Sequence, residues 1–212
     1  NQPGTYQDVT DTTITAQFKA VENSLPSFLQ IKSPVYFLAW TTTPWTLPSN
    51  TALTVGLKIE YVLVQSYNQY TFEFTNVILA KALVTKQFSG KYYEVDNRVE
   101  LDSFSNEDKK IPYFVHSSFK GKDLVNIKYE QLLSYALPHN NPENAFRVIA
   151  GDFVTTEDGT GIVHTAPTFG ADDALVAKQA IPEIPPLLVK DENDNLVPLV
   201  CLLYTSPSPR DR

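Results

Sequence analysis

Apolar residues recur along this chain in short blocks rich in Val, Thr, Tyr and Phe, with turn-forming residues between them. That pattern favours strands over helices. The stretch 10–21 is partly alternating and predicts a strand, and 35–43 is more apolar and predicts a better buried one. Further strands are predicted over 51–55 and 61–67. Asn68-Gln69 reads as a hairpin turn into a strand over 70–74. Asn76 stands where an N-cap would and Gly90 where a stop would, so 77–88 predicts a helix. The stretch 92–101 predicts another strand. Residues 102–145 read as loop-rich, with a weak helical pattern over 124–137. Strands follow over 146–150 and 161–165. A helix opened by Asp172 or Asp173 runs to about Ala180, where Pro182 ends it. The polar run 190–195 is a turn between two short strands. Many short strands with few helices predict an α+β, mainly β domain, a distorted β-barrel with a few short helices.

Composition narrows the class. A length of 212 residues suits one large domain, and 12% aromatic residues reinforce the β reading. No run of about 18 apolar residues is present, so no membrane span is expected. Nor is there a basic-then-apolar N-terminal stretch. Methionine is absent throughout, as expected of an internal fragment of a longer protein. One cysteine and three scattered histidines (His116, His139 and His164) exclude an internal disulfide and leave no metal site expected. The formal net charge of −7 counts against a large phosphate-gripping surface. The clusters Lys109-Lys110 and Lys120-Gly121-Lys122 could touch phosphates, although a solvated loop is the plainer reading. From Cys201 onward the Ser/Pro-rich stretch 201–212 breaks from the rest and resembles the translation of a sequencing-library adapter. Residues 1–200 are therefore expected to form the domain and 201–212 a non-native tail.

Two segments carry the candidate chemistry. The first is Trp40-Thr41-Thr42-Thr43-Pro44-Trp45-Thr46-Leu47-Pro48-Ser49-Asn50. In an extended chain Thr41 and Thr43 point to one face and Thr42 to the other. Pro44 and Pro48 stiffen the bend that follows. Hydroxyls presented there can orient a water or hold a ribose or carbonyl oxygen. A plain edge strand is the competing reading. A nucleophilic threonine is disfavoured, because no base is adjacent in sequence to activate it. The second segment runs from Gly159-Thr160-Gly161 through His164 and Pro167 to Gly170, Asp172 and Asp173. The glycines permit a tight turn. His164 ends a strand, where it is either a satisfied core residue or part of a site. One aspartate caps the helix and the other is free to receive an ammonium group. His164 and Asp173 are expected to face one small cavity. No Ser-His-Asp arrangement or phosphate-cradling loop is evident.

Taken together, WTTTPWTLPSN and GTGIVHTAPTFGADD resemble the editing (connective polypeptide 1) domain of isoleucyl-tRNA synthetase. The resemblance covers essentially Tyr6 to Val200. Valyl and leucyl editing domains typically carry Arg after the Thr pair, whereas Thr43-Pro44-Trp45 stands here. The HIGH and KMSKS motifs of the parent enzyme are absent, so no cofactor is expected in this segment, although the parent uses ATP and Mg. The resemblance implies hydrolysis of mischarged Val-tRNA(Ile), with valyl-adenylate as a second candidate substrate. It implies that Thr41, Thr42 and Thr43 place the ester and the attacking water, and that Asp173 binds the aminoacyl ammonium. His164 would limit pocket size, with Trp40 and Asn50 in supporting roles. The implied partners are the valine-bearing tRNA(Ile) 3′ end and the rest of the synthetase in cis, in a cytoplasmic monomer without membrane contact. Two other functions remain open at this point: a non-catalytic tRNA 3′-end binding module, and removal of threonine from tRNA(Val).

Overall fold

A computed structural model describes residues 13–203. The first strand, β1 (Ile14–Lys19), pairs antiparallel with β2 (Val35–Thr41), whose alternate residues Val35, Phe37 and Ala39 are buried. Positions 10–12 of the first predicted strand lie outside the described residues. After β2 come β3 (Ala52–Val55), β4 (Glu60–Tyr67) and β5 (Phe74–Ala80). A short helix α1 (Val84–Gln87) leads to β6 (Tyr92–Glu94) and β7 (Ile111–Lys120). Then follow β8 (Arg147–Ala150), β9 (Ile162–Thr165) and helix α2 (Ala171–Gln179). The hairpin β10 (Leu188–Lys190) and β11 (Leu196–Pro198) precedes a last turn of helix, α3 (Leu199–Leu203).

Among the described residues nine strands form one mixed sheet in the order β6-β7-β4-β5-β2-β9-β3-β8, with β1 attached to β2. The sheet divides at β2. Its first half pairs parallel with β5 through Val35, Tyr36 and Phe37, and its end pairs parallel with β9 through Trp40. The other edge of β2 is taken by β1. Thr41 is thus delivered where two parts of the sheet diverge. The edge strand β8 is linked back to the β1 side by residues 126–130, through the isolated bridges Lys128↔Arg147 and Ala20↔Tyr129. Among the described residues no continuous strand makes this closure. The α+β, mainly β class agrees with the expectation.

Three apolar clusters hold these pieces. The largest gathers Phe18, Phe37, Leu53, Leu63, Ile78 and Tyr129, all buried. A second lies on the opposite face of β4 and β5, where Val64, Val77 and Leu79 meet Val84 and Phe88. A third seats α2 against β3 and β8 through Ala52, Ile149, Val176 and Ala177.

Several predicted elements are corrected. The helix expected over 77–88 begins as strand: 77–80 complete β5, and only the residues after them turn helical. Val77 and Leu79 pack into one cluster while Ile78 and Ala80 pack into another. With both faces apolar, the two-residue period is invisible in the sequence. Asn76 is no cap: it is buried, donates from Nδ2 to the Pro34 carbonyl at 3.0 Å and accepts from Gln65 at 2.9 Å. Of the strand expected over 70–74 only Phe74 is strand, the first residue of β5; 70–73 form a loop in which Asn68 Oδ1 accepts from the N–H groups of Tyr70 and Thr71. The strand over 92–101 stops at Glu94, because Asn97 and Glu100 form a reciprocal capping box on a 3₁₀ turn. The loop-rich reading of 102–145 missed β7, a strand with Pro112 near its start and exposed polar residues in its second half. The weak helix over 124–137 is not formed. The polar turn 190–195 is as expected, with Asp191 Oδ1 accepting from Asn193 and Asn195 at 2.8 Å each.

Candidate functional site

β2 carries Trp40 and Thr41 to its end, and Pro44 then opens a 3₁₀ turn, Pro44–Ser49. Thr41 is buried; its Oγ1 accepts from the Thr43 N–H at 3.0 Å and lies 3.2 Å from Thr43 Oγ1. Thr41 and Thr43 therefore share a side, as alternation predicted. Thr42 and Thr43 are exposed, and Thr46 turns back into the interior.

The second segment is shaped by glycine. Gly159 and Gly161 take positive φ values of 75° and 72°. A Cβ on Gly159 would sit 2.9 Å from the Trp40 ring, and one on Gly161 would sit 2.4 Å from Ala80 Cβ. The loop is pinned by the Tyr61 hydroxyl, which donates to the Gly161 carbonyl at 2.6 Å, and by the Ala80 N–H, which donates to Thr160 at 2.8 Å. β9 then brings His164 beside the threonine turn. Neither aspartate caps α2. Gly170 holds that position, and Asp172 and Asp173 lie in the first helical turn. Asp173 Oδ2 accepts from the Ala166 N–H at 2.8 Å, which ties the start of α2 to the end of β9.

His164 is 7% exposed and both its ring nitrogens are committed. Nδ1 lies 2.8 Å from Asn50 Nδ2, and Nε2 lies 3.1 Å from Thr46 Oγ1. The Asn50 amide is oriented by its other partners: Nδ2 also donates to the Ala52 carbonyl at 2.8 Å, and Oδ1 accepts from the Tyr129 hydroxyl at 2.6 Å. Asn50 is thus a donor to Nδ1, so Nε2 carries the proton and donates to Thr46, which donates in turn to the Thr43 carbonyl at 2.8 Å. Burial pushes the His164 pKa down to about 4. The ring is neutral, and the atoms left to meet a ligand are carbons.

Trp40, Thr41, Thr42, Thr43, His164 and Asp173 line one open cavity of about 540 Å³, together with Trp45, Thr46, Val163, Ala166, Phe169 and Gly170. Asn50 is not on the wall but behind it, buried against His164. Among the described residues Asp173 is the one charged side chain on this lining. It is half-buried, and burial pushes its pKa up, partly offset by the Ala166 N–H bond and reinforced by neighbouring Asp172. Glu60, which accepts hydrogen bonds from Ser118 and Lys81, and Asp191, which accepts from Asn195 and Asn193, are instead held down. Oδ1 of Asp173 makes no hydrogen bond among the described residues, so the cavity presents a carboxylate oxygen without a cation. Among the described residues no group of three or more His, Cys, Asp or Glu side chains comes together to hold a metal ion. No helix among them is long and apolar enough to cross a membrane.

Sequence reasoning missed Thr46, Tyr129 and the Ala166 N–H. Thr46 had a signal: it stands three residues after Thr43, the repeat of a 3₁₀ turn. Tyr129 had none, because it arrives from an irregular segment far away in the chain.

No protein-family model matches the chain. Over 200 residues it is 58% identical to isoleucine–tRNA ligase of Cytophaga hutchinsonii, and over 202 residues 56% identical to that of Bacteroides fragilis. These alignments take in 94% and 95% of the chain. The chain is homologous to a segment of isoleucine–tRNA ligase. It spans 17% of the length of each of those two relatives. The segment's fold is that of synthetase editing domains. It matches the editing domain of the P. knowlesi cytosolic leucyl-tRNA synthetase with a TM-score of 0.59 at 12% identity, over 81% of this chain and 63% of that one. It matches the GlLeuRS-CP1 crystal structure with a TM-score of 0.55 at 18% identity, over 79% and 59%. The resemblance to an isoleucyl-tRNA synthetase editing domain is borne out by both comparisons.

Proposed function

We propose that this ligase segment is an editing module, residues 1–200, whose cavity hydrolyses the ester of Val-tRNA(Ile), and that 201–212 is a foreign tail. The observation that carries the reading is the cavity lining, which among the described residues combines one half-buried carboxylate, four threonines and a neutral histidine with no Lys or Arg. Such a cavity attracts an ammonium group and repels a bare phosphate. In this reading Asp173 receives the α-ammonium of valine through Oδ1, a charge-assisted contact that would draw its raised pKa back down. The hydroxyls of Thr41, Thr42 and Thr43 hold the ester and a water. The water attacks the ester carbonyl, the bond to the ribose oxygen breaks, and a water proton goes to that oxygen, leaving valine and free tRNA. Positioning supplies most of the effect. His164 takes no part as a base, since neither ring nitrogen is free.

Size discrimination falls to the His164 wall with Trp40 and Trp45. Valine and isoleucine differ by one methylene, worth about 1–3 kcal/mol in a hydrophobic pocket, a limit for which this enzyme family is itself the standard illustration. A second, smaller pocket multiplies that discrimination. The remaining synthetase in cis would bring the tRNA 3′ end, in a cytoplasmic monomer. Deacylation of Val-tRNA(Ile), Ile-tRNA(Ile) and Thr-tRNA(Val) tests the assignment. Only the first should be cleaved, and Asp173→Ala should slow its cleavage about a hundredfold, the scale for a lost charged anchor. Preference for Thr-tRNA(Val), or an Asp173→Ala variant at the wild-type rate, would overturn the substrate and the anchor respectively.

A further inference from the structure

Tyr129 reaches the back of the cavity from residues 126–130, the irregular segment that links β8 to the β1 side. It is buried and packs edge-on against Phe18 at 5.4 Å between ring centroids. Its hydroxyl donates to Asn50 Oδ1 at 2.6 Å. From there the bonds run in one sense: Asn50 Nδ2 to His164 Nδ1, His164 Nε2 to Thr46 Oγ1, and Thr46 Oγ1 to the Thr43 carbonyl. Both ends fix that sense. The Thr43 carbonyl can only accept, and the Asn50 amide cannot turn over without setting its oxygen against the Ala52 carbonyl. Every proton in the relay has one place, and the imidazole has one tautomer.

We propose that Tyr129 is a positioning residue that, through Asn50, locks His164 as the neutral Nε2–H tautomer and fixes it as a hydrogen-bond-inert wall of the cavity. The wall's effect on substrate choice rests on the editing reading; the lock does not. Removing the phenol oxygen leaves Asn50 Oδ1 buried without a partner, which is costly, so the amide loses its preference for the orientation that serves Nδ1. The ring is then free to exchange tautomers and to shift toward or away from the threonine turn. Two ionisable groups besides His164 bear on this geometry among the described residues: Tyr129 itself behind Asn50, and Asp173 on the same cavity lining.

The chain has three histidines, and His116 and His139 are exposed, so ¹H–¹⁵N spectra of the imidazoles are readily assigned with a His164→Gln variant. In the wild-type chain at pH 7, His164 should show one set of signals, with Nδ1 acceptor-like and Nε2 protonated. A protonated Nδ1 in the wild type overturns the relay whatever any variant does. Tyr129→Phe should broaden or split the His164 signals while those of His116 and His139 stay in place, which a general loss of folding would not do. Unchanged His164 signals would overturn the role of Tyr129. If Tyr129→Phe fails to fold, the wild-type tautomer together with Thr46→Val decides. That variant should shift the Nε2 signal, and an unmoved Nε2 overturns the relay. In deacylation, Tyr129→Phe should raise cleavage of Ile-tRNA(Ile) relative to Val-tRNA(Ile) about tenfold, the factor matching one buried unpaired acceptor. An unchanged ratio beside altered His164 signals would retain the lock and reject its effect on substrate choice. A wild-type chain that cleaves neither ester would sink the editing reading and leave the spectra to decide the lock.

Discussion

Protonating His164 would place a donor at Nδ1 against the Asn50 amide N–H, and burial already pushes its pKa down to about 4. An unfolded chain carries this histidine at an ordinary value near 6.5. Between those two values the unfolded state binds a proton that the folded state refuses. The stability tied to neutral His164 is therefore complete above about pH 6.5, is lost as the pH falls through this window, and levels off below about 4. The span corresponds to about 3 kcal/mol. Asp173 works in the opposite sense: its raised pKa means the folded state gains stability as pH falls towards its unfolded value. Subtracting a His164→Gln variant from the wild type isolates the histidine. Urea unfolding should give a difference that shrinks by about 2–3 kcal/mol between pH 7 and pH 4.5. Parallel pH curves for the two proteins would mean that His164 titrates normally in the fold.

Among the elements, those bearing chemistry were the most legible. The two motifs located both walls of the cavity because Thr, Pro, Gly and His at the end of an apolar run do little for packing. Elements whose alternation is masked are the ones the sequence hides. β5 looked helical since both its faces are apolar, and β7 looked like a loop since Pro112 and its exposed second half blur the alternation. Asn76 resembles a cap, and so does one of Asp172 and Asp173, but Asn76 is held by partners distant in sequence and Gly170 takes the cap position of α2. The glycine loop before β9 offers a test at this scale. Gly161 combines a φ of 72° with a Cβ position 2.4 Å from Ala80, whereas Gly90 has a φ of 68° and open space around it. Gly90→Ala should cost about 1 kcal/mol, for conformational strain alone. Gly161→Ala adds a clash inside the packed sheet and should cost about 2–4 kcal/mol. Denaturant midpoints compare the two directly, and equal losses would show that the loop has room to move.

Across the whole molecule, charge decides how the site can be supplied. The chain carries a net charge of −7, and no Lys or Arg among the described residues lines the cavity. Several cations outside it are already paired with carboxylates: Lys19 with Glu130, Lys81 with Glu60, and Lys86 with Asp158 beside the glycine loop. In the editing reading this surface suits a module that accepts the end of a tRNA gripped elsewhere, with specificity coming from Asp173 and the His164 wall. Binding of tRNA by the isolated chain should then be weak and release few counterions. A protein that neutralises six to ten phosphates loses about 10³–10⁵ in affinity between 50 and 200 mM salt, whereas one or two contacts give no more than about tenfold. Measured as kcat/KM for Val-tRNA(Ile), the chain should fall by about tenfold or less over that range, with kcat nearly unchanged. A steep loss would reveal a phosphate-binding surface that this arrangement of charges does not provide, and would move the source of tRNA affinity into the module itself.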